Sequence, residues 1–164
     1  ICRPRGYRGG VKFEAEIGVV IGRRCSDIGV DEVDDVIFGY TCVNDVTAAE
    51  YLFADQAFQQ WTLAKGFDTF CPLGPCIDTD IDPAELRVLA IENGEIRQNY
   101  PVSDMIYSPQ QIVSMISRYQ TLVPGDLIVC GTSVGASPME PGCEIQVSIP
   151  GLGKLVNHFD GHPE

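Results

Sequence analysis

The chain has 164 residues, 45% hydrophobic and 21% charged, the proportions of one globular domain able to bury its own core. Its net charge of −12 argues against nucleic acid and anionic membranes as partners, since both need Lys and Arg to neutralise phosphate. No apolar run approaches the roughly 20 residues of a membrane helix and no signal-peptide pattern is read. The seven cysteines are scattered without a CxxC pair, which predicts reduced core thiols in a cytoplasmic protein, neither a zinc site nor a disulfide frame.

In chain order, the first element is "FEAEIGVVI" (13–21). Phe13, Ala15, Ile17, Val19 and Ile21 alternate strictly and predict a strand with one face in the core. Glu14 and Glu16 share the other face, about 7 Å apart at Cα. That face continues into Gly18 and Val20, so it becomes apolar or closely approached along the strand. "RRCSDIGVDEVDDV" is a polar excursion with a short helix expected near 31–35. "VIFGYTCVNDV" (36–46) reads as a buried strand ending in Asn44 and Asp45. "TAAE" (47–50) fits a capping box, with Thr47 as cap, Glu50 returning to the backbone, and a helix expected through about residue 60. "KGFDTFCPLGP" (65–75) is punctuated by Gly and Pro and predicts loop and short strand, with Lys65 in the loop. "LRVLAIENGEIRQNY" (86–100) predicts a hairpin around Asn93-Gly94. "SPQQIVSMISRYQTL" (108–122) predicts a helix capped by Ser108, with Pro109 first and Gln111 completing the box; Ile112, Met115, Ile116 and Tyr119 form its expected inward stripe. The remaining segments are strands opened by Pro-Gly turns. Few βαβ units are present, so a β-roll is expected instead of a doubly wound sheet.

Four features bear on chemistry, and each has a plain alternative. Glu14 and Glu16 are either a solvated strand edge or a pair converging on a hard divalent cation, with bonds of about 2.0–2.5 Å. Asp45, at the end of a buried strand and before a helix, is either a helix-flanking acid or a third ligand. Lys65 is either a surface lysine or a cation that binds an anionic substrate and stabilises an enolate. Gly131-Thr132, after the strand "DLIVC", is either a turn or a grip on a carboxylate. A nucleophilic cysteine is disfavoured, because nothing near any of the seven is built to lower a thiol pKa.

The blocks "FEAEIGVVIG", "GYTCVNDVTA", "QWTLAKGFDTFCPLGP", "PGDLIVCGT" and "PGCEIQVSIPGLGKLVN" occur in that order. Together they resemble the fumarylacetoacetate hydrolase family over nearly the whole chain. The resemblance implies an α+β fold, a mixed β-sandwich roll with two or three flanking helices, with residues 1–164 as a single catalytic domain. It implies a Mg²⁺ site (alternatively Ca²⁺ or Mn²⁺) made by Glu14, Glu16 and Asp45, with Lys65, Gly131 and Thr132 contacting substrate and Lys65 catalytic. The implied reaction is hydrolysis of a C–C bond in a small acylpyruvate or β-diketo acid. The alternatives are an isomerase or decarboxylase acting on an oxo-diene-dioate or on oxaloacetate in aromatic-compound catabolism, and a catalytically weakened metal-binding homologue. A homodimer is implied as well.

Three departures from the family pattern stand out. The family's N-terminal lid segment, which carries a His as general base, is expected to be lacking here. His158 and His162 are expected in a solvated tail. The family's Arg-Asp-x-x-Gln after the metal Asp is replaced, with Ala49, Glu50 and Leu52 at the matching positions, and "LFADQAFQQW" is longer than usual, so the cover over the site is expected to be remodelled.

Overall fold

A computed structural model describes residues 1–161; His162 lies outside the described residues. The elements in chain order are β1 (Val11–Lys12), β2 (Ala15–Ile21), a 3-10 turn (Val30–Asp35), β3 (Ile37–Asn44), β4 (Thr47–Ala48), α1 (Ala49–Leu52), α2 (Trp61–Lys65) and β5 (Leu73–Asp78). They continue with β6 (Arg87–Glu92), β7 (Glu95–Pro101), α3 (Pro109–Ser117), β8 (Leu127–Val129), β9 (Glu144–Ile149) and β10 (Gly153–His158). Two four-stranded sheets, ordered β5-β3-β2-β8 and β10-β9-β6-β7, pack on each other, and β1-β4 forms a small third sheet. Every ladder between these strands is antiparallel. This is the expected α+β roll with three short helices outside it.

Alternation along β2 sets the layer order. Phe13, Ala15, Ile17, Val19 and Ile21 are all buried in one cluster with Val88, Ala90 and Val147 of the facing sheet. On the reverse face Gly18 is closely approached, as its pattern foretold. A Cβ there would lie 2.6 Å from Val43 Cγ2 and 2.9 Å from Leu127 Cδ1. The β6–β7 hairpin turns at Asn93 (φ 49°) and Gly94 (φ 86°); these positive φ values explain the Asn-Gly pair.

Two helical expectations need correction. No helix runs from 47 to 60: α1 is four residues long, Thr47 lies in β4, and no side chain caps α1. Glu50 instead reaches back to accept from Gly10 N (3.0 Å) and from the Tyr7 hydroxyl. It clamps the segment that leads into β1. Lys65 is not in a loop but ends α2, which Gly66 terminates.

In α3 the capping box is present as expected, with Ser108 and Gln111 exchanging bonds. Its buried face, however, carries Val113, Ser114 and Ser117, while Met115 is 40% and Tyr119 90% exposed. The serines are inside because they serve backbone: Ser114 Oγ donates to Ile28 O (2.8 Å), and Ile28 N donates to Ser117 Oγ (3.1 Å). A hydroxyl with a partner is cheap to bury, so the expected stripe holds in part: Ile112 and Ile116 pack against the core, while Met115 and Tyr119 are exposed.

All seven cysteines are free thiols. Burial pushes the Cys42 thiol up to about 11 and Cys130 to about 12, the behaviour of inert core cysteines. His158 is exposed but does not lie in a tail: it ends β10, paired with Glu144, its Nε2 3.9 Å from Glu144 Oε2. No helix among the described residues is long and apolar enough to cross a membrane.

Candidate metal centre

The antiparallel register brings the acids together. Ala15 pairs with Asn44, so the residues just beyond them, Glu14 and Asp45, face each other across the strand ends. Asp45 N donates to Glu14 O (2.8 Å), and Glu14 N donates to Asn44 Oδ1 (3.1 Å). Asn44 is held in turn by Asn157 Oδ1 on β10 (3.2 Å). Glu16, two residues along the same face of β2, completes the group. One carboxylate oxygen from each of Glu14, Glu16 and Asp45 lies within 4.8 Å of the others.

Lys65 comes in from α2. Its ammonium donates to Glu14 Oε2 (2.9 Å), to Asp45 Oδ2 and to Thr47 Oγ1 (2.9 Å), which occupies all three N–H groups. One helical turn earlier, Trp61 places its ring 6.0 Å from the same nitrogen. Burial alone would lower the Lys65 pKa, but the hydrogen bonds to Asp45 and Glu14 outweigh it and hold the group above its ordinary range. Lys65 is therefore an ammonium at neutral pH. Thr47 also donates to Asp45 O (3.1 Å), so it braces the lysine and the acid together.

Glu16 is the buried member, only 2% exposed. Among the described residues, its donor is the Gly131 N–H. Burial, then the charge of Asp45, then that of Glu14, push its carboxyl up to about 8 against the pull of Gly131 and Lys65. Three carboxyl groups thus crowd around one ammonium, which of the three bonds only Glu14 and Asp45. Hard oxygen donors at this spacing, short of positive charge, suit a divalent cation. Cys71 sits nearby, its thiol raised by burial and by Asp45 and Glu16.

The turn after β8 carries the last two expected residues. Gly131 (φ 101°) aims its N–H at Glu16, a conformation that favours glycine. The Thr132 hydroxyl donates to Ala15 O (2.9 Å) and accepts from Gln98 Nε2 (2.8 Å). Both residues thus grip the strand that bears the acids. A cleft of about 760 Å³ opens on the same turn between Arg97, Asn99 and Met105; the three acids do not line it.

Sequence reading missed two residues of β7. Gln98 Oε1 accepts from Ala15 N (3.0 Å), and the Tyr100 hydroxyl donates to Ala15 O (2.8 Å). The available signal was alternation in "RQNY", which places a polar Gln on the same face as Tyr100, a core-facing one.

Comparison with known proteins shows the family. The family model described as fumarylacetoacetate (FAA) hydrolase C-terminal matches residues 1–160. A solved structure titled 2-hydroxyhepta-2,4-diene-1,7-dioate isomerase, from Mycobacterium marinum, is 43% identical with a TM-score of 0.94, covering 100% of this chain and 64% of that one. A fumarylpyruvate hydrolase from Pseudomonas aeruginosa, solved with Mn²⁺ and pyruvate, is 27% identical with a TM-score of 0.92, covering 99% and 70%. An oxaloacetate tautomerase from Rattus norvegicus mitochondria is 34% identical over 157 residues, 90% of this chain and 50% of that protein. The chain spans about half to two thirds of the length of the curated relatives it matches. On the strength of these matches over nearly all its residues, the chain belongs to the fumarylacetoacetate hydrolase family.

Proposed function

We propose that the protein is a divalent-metal-dependent enzyme acting on a small 2-oxo or β-dicarbonyl acid, and that it hydrolyses an acylpyruvate-type C–C bond. The observation that carries this reading is the convergence of Glu14, Glu16 and Asp45 with one partly buried ammonium, Lys65. Mg²⁺ or Mn²⁺ held by the three carboxylates would supply a Lewis acid for the oxygens of a 2-oxo acid. Lys65, fixed by Glu14, Asp45 and Thr47, supplies a preorganised positive charge for the oxygen on which negative charge develops. In hydrolysis, water adds to the carbonyl remote from the 2-oxo acid and the C–C bond breaks. Its electron pair is left on the enolate of the departing 2-oxo acid, which then takes a proton to become the ketone. Gly131 and Thr132, in this reading, contact the substrate from the turn that also grips the acid-bearing strand. In this reading residues 1–164 act as one catalytic domain, in a homodimer.

A second reading is isomerisation or tautomerisation, which needs the same enolate but no attacking water. The 43% identity to a dienedioate isomerase favours it. Metal analysis together with a substrate panel separates the two. Acylpyruvates should yield pyruvate and a carboxylic acid if the enzyme is a hydrolase, and the diene-dioate or the enol of oxaloacetate should rearrange without cleavage if it is an isomerase. Equal turnover by wild type and Glu16→Ala would sink both readings. Tight metal binding without turnover of any 2-oxo acid would make the chain a metal-binding homologue without catalysis.

A further inference from the structure

Gln98 has no place in the chemistry described so far, yet it is a fully buried amide, 1% exposed. It joins two parts of the site. Its Oε1 accepts from the N–H of Ala15, the residue between Glu14 and Glu16 on the chain. Its Nε2 donates to Thr132 Oγ1 and to Ser133 O, both at 2.8 Å. Thr132 passes the link back by donating to Ala15 O, so the Ala15 peptide groups are held from both sides. The same turn places the Gly131 N–H on Glu16. Strand and turn therefore close a ring: Ala15, Gln98, Thr132, Gly131, Glu16. The pairing with β3 holds one edge of this strand end, and the ring holds it toward the turn; a shift there moves two carboxylates at once.

We infer that Gln98 is a positioning residue, which sets the spacing of the Glu14 and Glu16 carboxylates by tying their strand to the 131–133 turn. This rests on the metal reading of the three acids. The amide is suited to the task because it must accept from one N–H and donate twice to oxygens. An apolar side chain of the same length can fill the space but makes none of these bonds, and leaves the Ala15 N–H and Ser133 O without them.

The test is Mn²⁺ affinity, followed by the electron paramagnetic resonance signal of free Mn²⁺, in the full-length protein and well below each variant's melting temperature. Gln98→Met should weaken binding about tenfold or more, the scale seen when the groups that orient metal ligands are removed. Thr132→Val cuts the same ring from a less buried position and should act in the same direction, which keeps the test alive if Gln98→Met does not fold. Ser114→Ala removes another buried hydroxyl-to-backbone bond, on α3; it should lower stability and leave Mn²⁺ affinity unchanged. Wild-type affinity in the foldable members of the Gln98 and Thr132 pair would overturn the positioning role and spare the metal site. An equal loss in Ser114→Ala would also overturn it, by tracing the loss to general stability. No Mn²⁺ binding by wild type would overturn the metal reading, and the positioning role with it.

Discussion

Glu16→Gln gives the sharpest test of the acid cluster, because its sign reverses with metal. The Glu16 carboxyl is raised from an ordinary 4.5 to about 8 in the metal-free fold, first by burial and then by Asp45. Between those two pH values the unfolded chain has released its proton while the folded chain still holds one. Stability then falls as pH rises, by about 1.4 kcal/mol per pH unit, and levels off above 8. Over the whole window the loss is of order 5 kcal/mol. The variant carries a neutral amide of the same shape, whose oxygen can still accept from Gly131, and escapes this loss. With a chelator present, wild type and Glu16→Gln should be about equally stable at pH 4.5, and the variant should lead by several kcal/mol at pH 8, a gap of about 10 °C or more in Tm. Urea titrations followed by far-UV circular dichroism at intervals between pH 4.5 and 8 measure this; Trp61 is half exposed and reports less directly. Saturating Mn²⁺ at pH 8 should reverse the order, because a cation that binds only the native state stabilises wild type by about 4 kcal/mol at a thousand times its Kd, and the variant has lost a ligand. A gap between the two proteins that stays constant across pH would refute the raising of the Glu16 carboxyl by burial and by its acidic neighbours.

Lys65→Met keeps the length of the side chain and removes the charge. It should cut kcat about 100-fold or more, the scale for losing one preorganised electrostatic group, with far-UV circular dichroism unchanged. Gly18→Ala forces a methyl group against Val43 and Leu127 and should cost about 1–3 kcal/mol in urea unfolding. Ser108→Ala removes the α3 cap and should cost about 1 kcal/mol, leaving Mn²⁺ affinity where it was.

What could be read from the chain was what the chain writes locally. The period of two from Phe13 to Ile21 needs no partner to be recognised, and it correctly placed Glu14 and Glu16 on one face. The Asn93-Gly94 turn and the Ser108 cap are equally local. Asp45 was legible only as an acid at a strand end, since its position against Glu14 depends on the pairing of Ala15 with Asn44, a long-range fact. Lys65 was misplaced because α2 is five residues long and uncapped by any side chain, too short for a helical period to register. Thr47 looked like a cap, since Thr followed three residues later by Glu is the usual sign; the structure spends Thr47 on Lys65 and Glu50 on Tyr7 and Gly10. The face of α3 was half legible: Ile112 and Ile116 pack on the core as their spacing says, but Ser114 and Ser117 are buried for their hydroxyls, which a count of apolar residues ignores. Gln98 was passed over for the same reason.

The alternation in β2 has a consequence for how this protein can change. Core and acid cluster are interleaved residue by residue on one short stretch, so they share a single reading frame in space. Deleting one residue between Phe13 and Ile17 would turn the residues on one side of the deletion over, aiming carboxylates at the hydrophobic interior or apolar side chains at the cation. The strand has no neutral shift available to it. Drift along this segment is confined to substitutions in place, and a frame change there would cost the protein its fold and its chemistry in the same step.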